Sequence, residues 1–161
     1  MVKIALCILF KMNNVKEVRP EGRDFQWCLK FVCTNCSEKS DTWNYLSLDE
    51  EIPMQRGSGV NHFVSKCKLC SRENSVMIIE DSIKSYTAKD QDQYKPMVTF
   101  DCRGIEPIDF SAREGWTIQT VNEGSKFDAV DLTEGEWEDF CDKIFEPVSI
   151  FEIQHNFKKV K

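Results

Sequence analysis

FQWCLKFVCTNC, Phe25 to Cys36, alternates Phe25, Trp27, Leu29 and Phe31 with Gln26, Cys28, Lys30 and Val32, then runs directly into two cysteines separated by two residues. A period of two places alternate side chains on opposite faces, the pattern of a half-buried strand. The stretch therefore predicts a strand that delivers Cys33 and Cys36 to a turn. A second pair, CKLC at Cys67 to Cys70, follows 30 intervening residues. It leads into NSVMIIEDSIKSY (Asn74 to Tyr86), another β-rich run that breaks near Glu80 to Ser82. Each cysteine pair is thus expected at a turn beside a strand.

The same period recurs along the chain. Val2, Ile4, Leu6, Ile8 and Phe10 share one face of a first strand. The apolar run from Ile4 to Phe10 has no Ala-x-Ala cleavage pattern after it, which argues against a signal peptide. MVTFDC (Met97 to Cys102), GWTIQTV (Gly115 to Val121) and SIFEIQHNF (Ser149 to Phe157) are further expected strands. Loops are expected at Asp49 to His62, Thr87 to Pro96 and Arg103 to Gly115. One segment reads differently. In DLTEGEWEDFCDKIFEP, Thr133 and Glu136 have capping-box spacing, and Trp137, Phe140, Cys141, Ile144 and Phe145 fall at helical intervals before Pro147. The expected fold is mainly β, a two-lobed antiparallel sandwich or barrel-like architecture with a zinc-ribbon-like four-cysteine site and one short C-terminal helix. It forms a single domain over 1–161, with a zinc-bearing lobe at about 25–90 and a second lobe at about 91–161 that includes the N-terminal strand.

Composition sets bounds on function. The 161 residues carry a net charge of -6 with a pI near 5.0, a field that repels nucleic acid and anionic membranes. Eight cysteines are too few for a small secreted disulfide scaffold, and no stretch approaches a membrane span. The expectation is a soluble monomer in the cytoplasm, with the nucleus as a further location, where thiols stay reduced.

Two C-x-x-C turns can close four thiolates round one zinc, because a two-residue spacer lets both sulfurs of a turn reach the same ion. Cys33, Cys36, Cys67 and Cys70 are therefore the candidate metal ligands. Such a closed set leaves no position for substrate or water, so a structural zinc, one per chain, is expected. Redox pairs and coincidence are the competing readings. The cluster would carry a charge of about -2, and Lys66, Lys68 and Arg72 are candidates to balance it. Cys7, Cys28, Cys102 and Cys141 sit singly in apolar patterns and read as small buried hydrophobes. His62 is not needed as a ligand, and His155 lies in a strand pattern. RGSG (Arg56 to Gly59) lacks the ending of a phosphate loop and reads as a flexible turn. No catalytic set emerges, so an enzyme is not expected.

CTNC, VSKCKLCSRENSV (Val64 to Val76), FDCRGIEPIDF (Phe100 to Phe110), EWEDF (Glu136 to Phe140) and SIFEIQHNF together resemble, in order, the eukaryotic CXXC-motif-containing zinc-binding protein family, whose function is uncharacterised. The resemblance spans nearly the whole chain. It implies a mainly β protein with one zinc on Cys33, Cys36, Cys67 and Cys70, and no reaction. Ser37 departs from it, since relatives tend to have glycine after the first pair. The Arg103 to Pro107 turn stands out as either a partner-facing feature or an internal salt bridge or turn constraint, the latter preferred.

Four functional classes follow. A non-enzymatic adaptor that binds protein partners of unknown identity fits best. A thiol-disulfide oxidoreductase requires a lowered thiol pKa, often at a helix N-terminus, and neither pair clearly opens a helix. Nucleic-acid binding would draw on Lys30, Lys39, Lys66, Lys68 and Arg72 beside Phe31 and Trp43, against the net charge. A zinc carrier is disfavoured because four thiolates release metal slowly.

Overall fold

The computed structural model describes residues 2–54, 59–122 and 124–161. These form thirteen strands: β1 Val2–Asn13, β2 Val15–Pro20, β3 Trp27–Cys33, β4 Asn44–Leu46, β5 Phe63–Lys66, β6 Glu73–Ile79, β7 Tyr86–Thr87, β8 Lys95–Arg103, β9 Ile105–Ser111, β10 Trp116–Thr120, β11 Lys126–Val130, β12 Trp137–Cys141 and β13 Glu146–Val160. They build a six-stranded sheet (β12-β13-β1-β8-β6-β5), a four-stranded sheet (β11-β10-β2-β7) and a three-stranded sheet (β4-β3-β9). Every pairing between these strands is antiparallel. The mainly β expectation holds.

Alternation explains how the sheets meet. Ile4, Leu6, Ile8 and Phe10 of β1 join the central core, as their spacing predicts. Ala5, Cys7 and Leu9 are buried as well, outside that cluster, because β1 lies between β13 and β8 near the middle of the widest sheet. Rings from all three sheets interlock: Phe10 meets Tyr86 at 4.9 Å and Trp116 at 5.9 Å, and Trp27 meets Trp116 at 6.2 Å and Phe100 at 6.4 Å. All of these contacts are edge-to-face, the arrangement ring quadrupoles favour.

The predicted C-terminal helix is absent. Trp137–Cys141 is instead strand β12, paired with Glu146–Ile150 through a tight hairpin. Thr133 N–H bonds to Asp131 Oδ1, making a side-chain turn in place of an N-cap, and Gly135 adopts φ +79° and donates to Leu132 C=O. A glycine in the first helical turn costs about 1 kcal/mol, and an isolated helix this short is marginal in water. Pairing with β13 was the stronger alternative. The face a helix would have buried is split: Phe140 is 48% and Phe145 80% exposed, whereas Cys141 is buried and Trp137 packs against Phe127. Among the described residues, helical structure is limited to two 3-10 turns, Glu80–Ser82 and Ala88–Asp90. No helix among the described residues is long and apolar enough to cross a membrane.

Residues 103–115 also depart from expectation, since Ile105–Ser111 is a strand and not loop. Pro107 lies beside a register shift between Lys30 and Phe31, on the edge strand of its sheet, which is where a strand tolerates proline. The RGSG turn lies outside the described residues apart from Gly59.

Candidate metal centre

β3 ends at Cys33, and its chain turns back so that Cys33 N–H donates to Glu38 C=O (2.9 Å) and Ser37 N–H to Cys33 C=O (2.8 Å). The β5–β6 hairpin repeats the arrangement: Cys67 N–H donates to Arg72 C=O and Ser71 N–H to Cys67 C=O, both at 2.9 Å. The two turns are thus copies of one knuckle. In each, the residue after the second cysteine takes a left-handed conformation, Ser37 at φ +66° and Ser71 at φ +63°. That geometry explains why glycine suits the position occupied here by Ser37.

The four sulfurs of Cys33, Cys36, Cys67 and Cys70 all lie within 4.8 Å of one another. Cys33 Sγ is 3.7 Å from Cys70 Sγ, and Cys36 Sγ is 3.5 Å from Cys67 Sγ. A tetrahedron with zinc–sulfur bonds of about 2.3 Å has sulfur–sulfur edges of roughly 3.8 Å, close to these two distances, so the donor set suits zinc. Cys33 is buried and the other three are half-buried.

The charge chemistry points the same way. The Asn35 side chain, followed by the Arg72 backbone, lowers the Cys70 thiol to about 6. The backbone of Cys36, with that of Asn35, holds Cys33 below the usual thiol range. Cys36 behaves oppositely. The Glu38 backbone favours its thiolate, yet burial and the neighbouring Cys67, Cys33 and Cys70 together push it up to about 12. Anions crowded this closely repel one another, so full ionisation of the set calls for a cation among them.

Two residues with no signal in the cysteine spacing complete the surroundings. Asn74, fully buried on β6, places Nδ2 4.0 Å from Cys33 Sγ. Gly104 joins β8 to β9 at φ +81° and accepts the Thr34 N–H at 2.9 Å. A Cβ at Gly104 would stand 2.1 Å from Asn74 Oδ1, so the close approach requires glycine. The Arg103 to Pro107 segment therefore includes a turn constraint at Gly104. Glu106 Oε1 lies 3.7 Å from Lys159 Nζ.

The remaining candidates lie apart from the sulfurs. Cys102 is buried with its thiol pushed up to about 12 by burial, and Cys7 and Cys28 are raised for the same reason. Cys141 is buried against Ser125 and Thr120. His62 is buried and accepts the Ile78 N–H on Nδ1 at 2.9 Å, and burial lowers its pKa. His155 Nε2 is 3.4 Å from Asp109, with its ring edge-on to Phe110 and Phe157. Of the five basic residues grouped from the sequence, Lys39, Lys66 and Lys68 border one groove beside the cluster. Lys30 instead lies 4.6 Å over the Trp43 ring.

Fold and site together describe a β protein whose four-thiol cluster has the donor chemistry of a zinc centre. The chain belongs to the eukaryotic family described as CXXC motif containing zinc binding protein, matching it over residues 5–158. It is 42% identical over 159 residues to the Xenopus laevis protein named "CXXC motif containing zinc binding protein", covering 99% of both chains. The fold is similar to that titled "Crystal Structure of C1orf123", with a TM-score of 0.93 at 42% identity, over 98% of this chain and 99% of that one. A "Hypothetical protein from plasmodium falciparum", 18% identical, shares the fold with a TM-score of 0.88 over 98% of this chain and 100% of that one.

Proposed function

We propose that this chain is a non-enzymatic, protein-binding scaffold held together by one structural zinc on Cys33, Cys36, Cys67 and Cys70. The observation that carries the reading is where the ligands come from. Cys33 ends a strand of the three-stranded sheet, whereas Cys67 and Cys70 lie in a hairpin at the edge of the six-stranded sheet. An ion held by all four cross-braces two sheets. Four protein thiolates saturate a tetrahedral ion, which leaves it a structural and not a Lewis-acid role. Both histidines are engaged in packing contacts, which fits a framework.

A structural zinc contributes about 10–16 kcal/mol of apparent binding free energy, comparable with the whole stability of a domain. Elemental analysis of protein purified without added zinc should give close to one zinc per chain. Insulin-disulfide reduction should stay at background. Substoichiometric metal together with rapid insulin reduction would transfer the assignment to a thiol-disulfide oxidoreductase. The scaffold role predicts a discrete protein partner recoverable by cross-linking and a soluble monomer in the cytoplasm or nucleus. Recovery of no partner under any condition counts against it.

A further inference from the structure

The β12–β13 hairpin has two unlike faces. Opposite residues of an antiparallel pair share a face, and the register sets Phe140 against Pro147 and Glu138 against Ser149. Phe151, two residues beyond Ser149, continues the same side. Cys141, Val148 and Ile150 on the other side are buried, whereas Phe140, Pro147 and Phe151 are exposed. Phe145 stands at the hairpin tip, the most exposed of the large hydrophobic residues among those described. Its backbone is left-handed at φ +54°, a conformation that suits glycine and strains an aromatic residue. Burial does not offset that strain, so this ring is held out to solvent at a cost to the fold.

Charge tells what covers this face. Residues 131–146 hold seven carboxylates and one lysine, a net -6 that equals the net charge of the entire chain, so all other residues together balance to zero. None of the seven forms an ion pair among the described residues. Lys11, which lies opposite Phe151, is already paired with Glu152 at 2.7 Å and does not offset them. Among the described residues, only the four cysteines come together as a metal-ligating group, so these carboxylates are spread along a surface and do not form a cation site. Backbone pairing is blunted at β12, the last strand of its sheet: Phe140 N–H donates to Asp139 Oδ1 at 2.7 Å, and Pro147 opposite has no N–H.

We infer that the outer face of the β12–β13 hairpin is where the scaffold binds its partner, a basic segment of another protein in which arginine or lysine alternates with apolar side chains. The inference rests on the scaffold reading above and gives it a surface and a partner chemistry. Apolar side chains of the segment cover Phe140, Pro147 and Phe151, its cations meet carboxylates such as Glu138, Asp142 and Glu146, and an arginine stacks on the Phe145 ring. A second copy of this chain fits less well, because two such hairpins brought together oppose like charges. Nucleic acid and anionic membranes are repelled for the same reason.

The test titrates the zinc-loaded full-length chain, by fluorescence anisotropy, with a labelled octapeptide of alternating leucine and arginine. A leucine–glutamate octapeptide and a serine–arginine octapeptide serve as comparisons, the second keeping the charge and removing the apolar side chains. Phe145→Gly removes the tip ring together with its strain, Phe140→Ser removes the ring on the face, and the Glu138→Lys/Asp142→Lys double variant reverses charge; zinc content and thermal circular dichroism report folding of each. The expected result is binding of the leucine–arginine peptide at least ten-fold tighter than either comparison, weakened several-fold or more by every variant that folds, while Phe145→Gly melts no lower than the wild type. If Phe140→Ser does not fold, the other two variants carry the test. No binding of the leucine–arginine peptide, equal binding of the serine–arginine peptide, affinities unchanged in the variants, or a self-associated species abolished by Phe145→Gly would each overturn the assignment. Where a cross-linked partner of the wild type is retained by all the variants, the scaffold reading survives and this hairpin is the wrong surface.

Discussion

Replacing Gly104 with alanine probes the support of the metal centre most sharply. Two costs can be read from the structure. The backbone sits at φ +81°, a left-handed conformation costing an L-residue about 1–2 kcal/mol. The new Cβ would lie 2.1 Å from Asn74 Oδ1, and relieving such overpacking costs about 1–3 kcal/mol. Gly135 separates the two, since it has nearly the same φ, +79°, and nothing within 4 Å of its would-be Cβ. Gly135→Ala should therefore lose only the backbone cost, a fall in melting temperature of roughly 2–4 °C per kcal/mol for a chain of this size. Gly104→Ala should lose about 3 kcal/mol, or roughly 6–12 °C by the same scaling. Displacing Asn74 also withdraws its amide from Cys33, so zinc should pass to a competing chelator faster than from Gly135→Ala. Adding Asn74→Ala to Gly104→Ala removes the clash but not the loss of the amide, so the double variant should cost less stability than the sum of the two single changes while zinc loss stays fast. The assay is calorimetry or thermal circular dichroism on zinc-loaded protein, with chelator competition followed by absorbance. Equal melting temperatures and equal zinc loss for both glycine variants would refute the reasoning.

Further predictions concern single residues. Ser37→Gly and Ser71→Gly each relieve a left-handed serine and should raise the unfolding free energy, read by denaturant titration, by about 1 kcal/mol; a loss of stability in both would show that the side chains contribute more than the strain costs. Asn74→Ala should weaken zinc binding by about 10-fold or more while the fold persists, as read by chelator competition. Burial holds the pKa of His62 below its ordinary value near 6.5, so the unfolded chain takes up its proton first. Its contribution is present above about pH 6.5 and is lost as pH falls through the lower folded-state value. A His62→Gln protein should accordingly lose stability less steeply below about pH 6.5 than the wild type, and parallel pH profiles would exclude His62 as the source.

Much of this architecture is written locally. The even-numbered face from Ile4 to Phe10 and the alternation that ends at Cys33 are properties of a few adjacent residues, and both strands form as read. The C-x-x-C spacing likewise fixes which sulfurs can share an ion. Trp137 to Phe145 has real helical spacing, yet an open edge of β13 pairs it as a strand, which buries Cys141 and leaves Phe140 and Phe145 exposed. Ile105–Ser111 was hidden by Pro107, whose tolerance depends on an edge position that no local pattern reveals. Asn74 escaped notice for the same reason, and Gly104 stood out only as part of the Arg103 to Pro107 turn, without the residue that constrains it. Their approach brings a turn residue against a strand residue far away in the chain, and glycine is demanded there by an amide 30 positions earlier.

The central claim is that the metal braces the β3 knuckle to the β5–β6 hairpin, and metal-dependent hydrogen exchange at those two turns tests it most directly. On adding chelator to the zinc-loaded chain, amides of Cys33, Ser37, Cys67 and Ser71, all hydrogen-bonded in the knuckles, should lose protection before those of β1 and β13. Unchanged protection at the four knuckle amides, in protein shown to be free of zinc, would contradict the account.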